Sequence, residues 1–187
     1  METFEQPVLH AGRYVLRPFD IRDVALIEAA SLDPLIPLIT SVPIKGSSQD
    51  FADFIYRQQQ RVAERTGYSF AIAEAQTNRA VGQIGLWLHN VAAGRASIGC
   101  IGYWVDPGHR GRGAVSAAMD ALTVWALELA PIHRVELYVE PWNEGSWRGA
   151  EKCGFTREGI LRSWQLIGTE RKDMYCYSRL KTDGPER

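Results

Sequence analysis

The sequence predicts one domain of mixed α and β structure, on three observations. Its 187 residues correspond to about one domain, at roughly 150 residues each, with length enough for one sizeable core. Segments of helical spacing and of period-two spacing interleave along the chain, with no internal repeat and no low-complexity tract. Hydrophobic residues make up 45% and charged residues 23%, the balance of a chain that folds by itself rather than a disordered one.

The elements follow in order. Residues 10–19 alternate Tyr14, Leu16 and Pro18 against Val15 and Arg17 as a strand, and Asp20 with Asp23 marks a helix start. Residues 31–48 carry Pro34, Pro37, Pro43 and Gly46, which break regular structure and suit a mobile loop at a site, packed through Leu35, Ile36, Leu38 and Ile39. Ser47, three residues before Asp50, caps a second helix on which Phe51, Phe54, Ile55, Gln58 and Val62 share a face; it ends near Thr66 and Gly67. Strands at 68–75, 80–89 and 97–105, joined by turns at Thr77-Asn78-Arg79 and Ala92-Ala93-Gly94, form an antiparallel meander. Val115, Ala118, Met119, Leu122, Trp125, Ala126 and Leu129 then recur every three or four residues as a long helix closed by Pro131. A strand at 134–140, a short helix at 144–153 and two strands at about 155–167 and 171–180 complete a core of about 10–181, with a frayed tail at 182–187.

Composition removes several function classes. With 21 Lys and Arg against 22 Asp and Glu, the net charge is -1, so no long-range field holds nucleic acid or an anionic membrane. No apolar stretch approaches the roughly 18 residues of a membrane helix, and residues 1–8 are acidic and polar rather than signal-like, so a cytoplasmic location is expected. Cys100, Cys153 and Cys176 lie far apart without a CxxC pair and are expected to be buried free thiols. His10, His89, His109 and His133 show no metal-ligand spacing, and no metal is expected.

The segment Gly108-His109-Arg110-Gly111-Arg112-Gly113-Ala114-Val115-Ser116 lies between an apolar strand and the long helix. Free N–H groups at a helix start, the helix dipole and close-approach glycines together bind anions, with Arg110 and Arg112 as added cations. No Lys-Ser or Lys-Thr follows the last glycine and the GxGxxG spacing is missing, which disfavours nucleoside triphosphates and NAD. A glycine turn with solvated arginines has the same spacing, and this stretch alone leaves both readings open.

A larger pattern extends it: Ile101-Gly102-Tyr103-Trp104-Val105-Asp106-Pro107, then Arg110-Gly111-Arg112-Gly113, then Asn143-Glu144-Gly145-Ser146, Glu151-Lys152-Cys153-Gly154-Phe155 and Arg171-Lys172-Asp173. In this order the chain, from about Tyr14 to Leu180, resembles the GCN5-related N-acetyltransferase (GNAT) superfamily. Within it, the N-x-x-S step, the E-K-x-G-F turn and the late R-x-D are similar to the ribosomal-protein N-alpha-acetyltransferase (RimJ/RimL-like) branch. The superfamily loop Q/R-x-x-G-x-G/A is met at Arg110 and Gly113, with Val115 at the last small position.

The resemblance implies an α+β fold whose mixed, mostly antiparallel central sheet, with helices on both faces, splays into an acyl-CoA cleft. Acetyl-CoA would enter between the strand ending at Val105 and that beginning near Arg134, its pyrophosphate on the amides of Arg110, Gly111, Arg112, Gly113, Ala114 and Val115. The resemblance pairs its pantetheine with the backbone of Tyr103, Trp104 and Val105, and directs the Val105 N–H at the thioester carbonyl. It makes Asn143 a contact to the pantetheine arm or an orderer of the loop, and Ser146 the acid that protonates the leaving thiolate. From the residues alone, Asn143 also suits a helix start and Ser146 the support of its first turn.

A base is less marked. The branch carries a glutamate in the strand after Gly-Phe, where this chain has Gln165; Glu74, Glu136 and Glu140 remain as candidates, directly or through water. An α-amine of pKa about 7.7–8.0 is roughly a tenth neutral at pH 7, a lysine side chain only about one part in two thousand, so an N-terminal acceptor needs less help. Asp106 is expected to serve the turn, and Trp87, Trp104, Trp142, Trp147 and Trp164 gather around the cleft in sequence. The resemblance thus implies direct acetyl transfer to a primary amine, above all the N-terminal α-amine of a protein such as a ribosomal protein. A small-molecule amine (amino acid, polyamine or antibiotic) and a non-catalytic acyl-CoA sensor are the alternatives. One domain leaves acceptor choice to the 31–48 segment, the first two helices, the C-terminal strands, or a second subunit in a homodimer.

Overall fold

The computed structural model describes residues 5–89, 97–129 and 132–184; the expected turn at 92–94, Pro131 and the end of the tail lie outside them. The stretch expected as one strand is a hairpin, β1 (Leu9–Ala11) and β2 (Tyr14–Pro18), because Gly12 and Arg13 turn the chain so that Ala11 pairs with Tyr14. Asp20 and Asp23 cap each other across a 3-10 turn, Ile21–Asp23, that leads into α1 (Val24–Ser31). Asp23 is buried and ion-paired with Arg17 at 2.8 Å.

The segment expected as a loop contains a short helix, α2 (Ile36–Ile39), started by Asp33, whose carboxylate accepts the N–H groups of Leu35 and Ile36 at 2.8 and 2.9 Å. Ser47 and Asp50 form a capping box at the head of α3 (Ser48–Ala63), which buries the five residues the spacing selects, Phe51, Phe54, Ile55, Gln58 and Val62. The meander is β3 (Gly67–Glu74), β4 (Ala80–His89) and β5 (Ser97–Val105), antiparallel throughout. A second 3-10 turn, Pro107–His109, leads to α4 (Ala114–Glu128), followed by β6 (Ile132–Val139), α5 (Glu144–Lys152), β7 (Thr156–Ile167) and β8 (Glu170–Leu180).

Among the described residues the strands form one eight-stranded sheet in the order β1-β2-β3-β4-β5-β6-β8-β7. Its one parallel neighbour pair, β5 with β6, positions the site. These strands are in register only from Ser97 to Cys100 against Ile132 to Glu136, while β5 stays paired with β4 to its end at Val105. From Ile101 onward β5 and β6 therefore diverge.

Helices cover both faces. Phe70, Ile84, Leu86, Met119, Leu122 and Leu137 form a core under α4, and Phe19, Ile27, Ile36, Phe51, Phe54 and Trp104 a second core under α1–α3. Strand alternation divides β5 between them, with Ile101 and Val105 in the first core and Trp104 in the second. Cys153 is buried, but Cys100 and Cys176 are only half-buried; burial and the nearby Glu136 push the Cys100 thiol up to about 12. No helix among the described residues is long and apolar enough to cross a membrane.

Candidate active site

The glycine segment leads straight from β5 into α4. Gly111 (φ 73) and Gly113 (φ 77) both occupy the left-handed region that only glycine adopts without strain. Gly113 is the residue before the helix, and its carbonyl accepts the first intrahelical bond, from Ala117 at 3.1 Å. The N–H groups of Ala114, Val115 and Ser116 consequently have no intrahelical acceptor and point out of the helix start. The space before both glycines is open, and the Arg112 carbonyl is tied away by Arg13 and by the Tyr14 hydroxyl at 3.2 Å. This is a cradle for an anionic group such as a pyrophosphate.

The cation expected from Arg110 is engaged elsewhere. Its guanidinium bonds Asp33 at 2.9 Å, and its Nε donates to the Val105 carbonyl at 3.3 Å. Burial opposes ionisation of Asp33, but the Ile36 and Leu35 N–H groups and Arg110 outweigh it and hold the carboxyl below its ordinary range. Arg112 is exposed at the cradle, and Asp106 Oδ2 lies 2.8 Å from His109 Nδ1 as an acceptor, a contact within its own turn.

The diverging strands open two cavities that meet. One, of about 420 Å³, runs along the glycine segment and is lined by Val105, Gly111, Gly113, Ala114 and Trp142. The other, of about 320 Å³, lies on the β6 side and is lined by Trp87, Tyr138, Glu140, Gln165 and Met174. Tyr103, Trp104, Asn143 and Ser146 line both, as do Leu35 and Ile39 of the α2 segment. Asp106 N–H donates to Val81 on β4 at 2.9 Å, so by alternation the Val105 N–H points away from β4 into the gap.

At the junction, the hydroxyls of Tyr103 and Ser146 lie 2.5 Å apart. Burial pushes the Tyr103 phenol up to about 12, against the lowering effect of its bond to Ser146, so it stays protonated at neutral pH. Ser146 Oγ therefore reaches across the cleft to β5 rather than back to its own helical turn. Asn143 begins α5 without a side-chain cap bond, although its carbonyl accepts the N–H groups of Ser146 and Trp147 at 3.1 and 3.2 Å.

Of the carboxylates considered from sequence, Glu140 alone lines either cavity. Glu136 is held by Arg134 and accepts the Tyr138 hydroxyl at 2.6 Å; Glu74 accepts Thr77 Oγ1 at 2.9 Å in the β3–β4 turn. Trp87, Trp104 and Trp142 line cavities, Trp147 packs on the core under α4, and Trp164 stacks on Tyr138.

Residues 13–156 match the model of the Acetyltransferase (GNAT) domain family. The chain belongs to this family. The GNAT chain is 34% identical over 129 residues to the Bacillus subtilis (strain 168) protein named "Probable N-acetyltransferase YjcK", covering 69% of this chain and 70% of that one. It is 30% identical over 80 residues to the ribosomal-protein-serine acetyltransferase of Escherichia coli (strain K12), 43% of this chain and 45% of the relative. Its fold superposes on Mycobacterium smegmatis RimJ in complex with CoA-disulfide with a TM-score of 0.80 at 23% identity, over 96% of this chain and 88% of that one. The protein is an N-acetyltransferase.

Three features of this GNAT site escaped sequence reasoning. The Tyr103 hydroxyl meets a partner 43 residues away, and Asp33 meets one 77 residues away, contacts that no local spacing announces. Tyr138 lines the second cavity from β6, where alternation marks a face but not the gap it borders. Asp33 alone carries a local signal, an Asp two and three residues before apolar Leu35 and Ile36, the spacing of a helix cap.

Proposed function

We propose that this enzyme transfers acetyl directly from acetyl-CoA to a primary amine, and that its acceptor is the N-terminal α-amine of a protein such as a ribosomal protein. The observation that carries this reading is the meeting of the two cavities at Tyr103, Asn143 and Ser146. In it, the Ala114, Val115 and Ser116 amides receive the pyrophosphate, and Asn143 and the free edge of β5 receive the pantetheine. The amine nitrogen enters from the second cavity and attacks the thioester carbonyl, whose developing negative charge the Val105 N–H stabilises. The C–S bond breaks as the C–N bond forms. Ser146 gives its proton to the departing sulfur and recovers one from Tyr103, which is reprotonated from solvent as the thiol leaves, while the amine's proton leaves through water toward Glu140.

The acceptor follows from charge. Gln165 takes no proton as a carboxylate does, and one carboxylate, Glu140, lines the second cavity. A polyamine calls for several such carboxylates, whereas one ammonium group on an uncharged body calls for one, and an α-amine is the easiest of these to deprotonate.

Thiol release from acetyl-CoA, measured against alanine- and serine-initiated peptides, free amino acids, spermidine and an aminoglycoside, tests the proposal. Peptides are expected to give the highest kcat/KM, and higher values on the small amines would refute the acceptor. Gly113→Asp, which places a side chain and a negative charge in the cradle at φ 77, is expected to abolish acetyl-CoA binding. Retained affinity would refute the placement of the cofactor.

A further inference from the structure

The Arg171-Lys172-Asp173 element lines neither cavity, yet it faces a break in the β7 ladder. Leu161 pairs with Met174 and Gln165 with Lys172, so Arg162, Ser163 and Trp164 together oppose the single residue Asp173. Within this bulge Ser163 adopts a left-handed conformation, φ 52. A residue with a Cβ is strained there, and the conformation persists only where neighbours hold it. Asp173 Oδ1 accepts the Ser163 N–H at 2.8 Å, and Arg171 Nη1 donates to the Trp164 carbonyl at 3.4 Å. The two side chains brace the bulge from both ends.

The consequence lies two strands away. With neighbouring strands about 4.8 Å apart, a β7 residue stands about 10 Å from β6 across β8. Yet the Trp164 ring centroid is 5.3 Å from that of Tyr138 on β6, the planes tilted by 37°. The bulge bends β7 over β8 and re-aims its side chains. Gln165, the first residue after the bulge, lines the 320 Å³ cavity together with Tyr138. Tyr138 is thereby held from two directions, by Trp164 against its ring and by Glu136 at its hydroxyl.

We infer that Asp173, assisted by Arg171, is a positioning residue for the acceptor cavity: by bracing Ser163 it sets where Trp164, Tyr138 and Gln165 stand, and so which acceptors fit. This rests on the reading of the β6-side cavity as the acceptor site. The test compares wild type, Asp173→Ala and Asp173→Asn by steady-state kinetics on an alanine-initiated peptide and by amide hydrogen exchange at Ser163. Asparagine keeps a side-chain oxygen that can accept the Ser163 N–H; alanine does not. Asp173→Ala is expected to raise the peptide KM about tenfold while the acetyl-CoA KM stays within about twofold, and to speed exchange at Ser163; Asp173→Asn is expected to restore both to within about threefold. An unchanged peptide KM in Asp173→Ala, or a rise shared equally by acetyl-CoA, overturns the inference. If the wild type acetylates small amines and no peptide, the acceptor reading fails, and the same comparison on the preferred amine decides the inference. Unchanged exchange at Ser163 overturns it with any acceptor.

Discussion

The hydroxyl pair Tyr103–Ser146 joins β5 to α5 across the gap where the two cavities meet. A serine hydroxyl is a poor acid by itself, so the role proposed for Ser146 as proton donor depends on a partner that replaces the proton. The Tyr103 phenol, kept protonated by burial, is placed for that. Ser146→Ala is expected to lower kcat by about tenfold or more with the acetyl-CoA Kd within about twofold, since it removes an interaction made in the transition state. Tyr103→Phe is expected to have the smaller effect, because Ser146 retains its own proton and loses only the replenishing partner. Rapid-quench single turnover on both variants checks the order, and a Ser146→Ala rate within twofold of wild type would remove it as the acid. Ser146 and Asn143 were legible because their spacing belongs to a motif. Tyr103 was legible only as backbone, since the direction of its side chain depends on which face of β5 meets α5.

At the scale of elements, the periodic segments are legible in full, and the proline-rich one only as irregular, packed and near the site, without its short helix. The buried face of α3 and its capping box follow from spacing over a single helix. The 31–48 segment is instead tied down by one carboxylate with three partners, by Thr40 against Ile36 and Val42, and by burial of Ile36 and Val42. Asp33 starts α2 through Leu35 and Ile36 and crosses to Arg110 on the cofactor segment, with a side chain 6% exposed. Leu35 and Ile39, which this arrangement positions, line both cavities. Asp33→Ala frees two part-buried N–H groups and one half-exposed guanidinium, at a cost of about 1 kcal/mol. The thermal midpoint is expected to fall, and the KM values for acetyl-CoA and acceptor are expected to rise together. A rise in one KM alone would show that the segment serves only one cavity.

Across the whole molecule, the gap depends on the C-terminal hairpin staying docked on β6 after β5 has turned away. The order β6-β8-β7, with the last strand inserted inside its predecessor, was not legible, because period-two spacing tells faces but not neighbours. No residue pattern marks the splay; the family resemblance alone implies it. Nor did the net charge of -1 show where charges concentrate. Arg134 on β6 is one such place: it holds Glu136 on its own strand and spans β8 to Glu158 on β7, at 2.8 and 2.6 Å. Bonds from Arg134, and then from Ser178 at 2.6 Å, outweigh burial and lower the Glu158 carboxyl from its ordinary 4.5 to about 2. Between those values the unfolded chain takes up a proton that the folded chain refuses, so the contribution is complete above pH 4.5 and is lost as pH falls toward 2. With the Glu158 side chain 43% exposed, solvent screening limits it to about 1 kcal/mol or less. Urea midpoints measured from pH 6 down to pH 3 are therefore expected to fall more steeply in the wild type than in Glu158→Gln, whose neutral amide keeps the shape but titrates no proton. Parallel curves would mean that ionisation of Glu158 contributes nothing to holding the hairpin, and that the β6–β8 ladder and the packing of Met174 and Tyr177 keep that side of the gap in place.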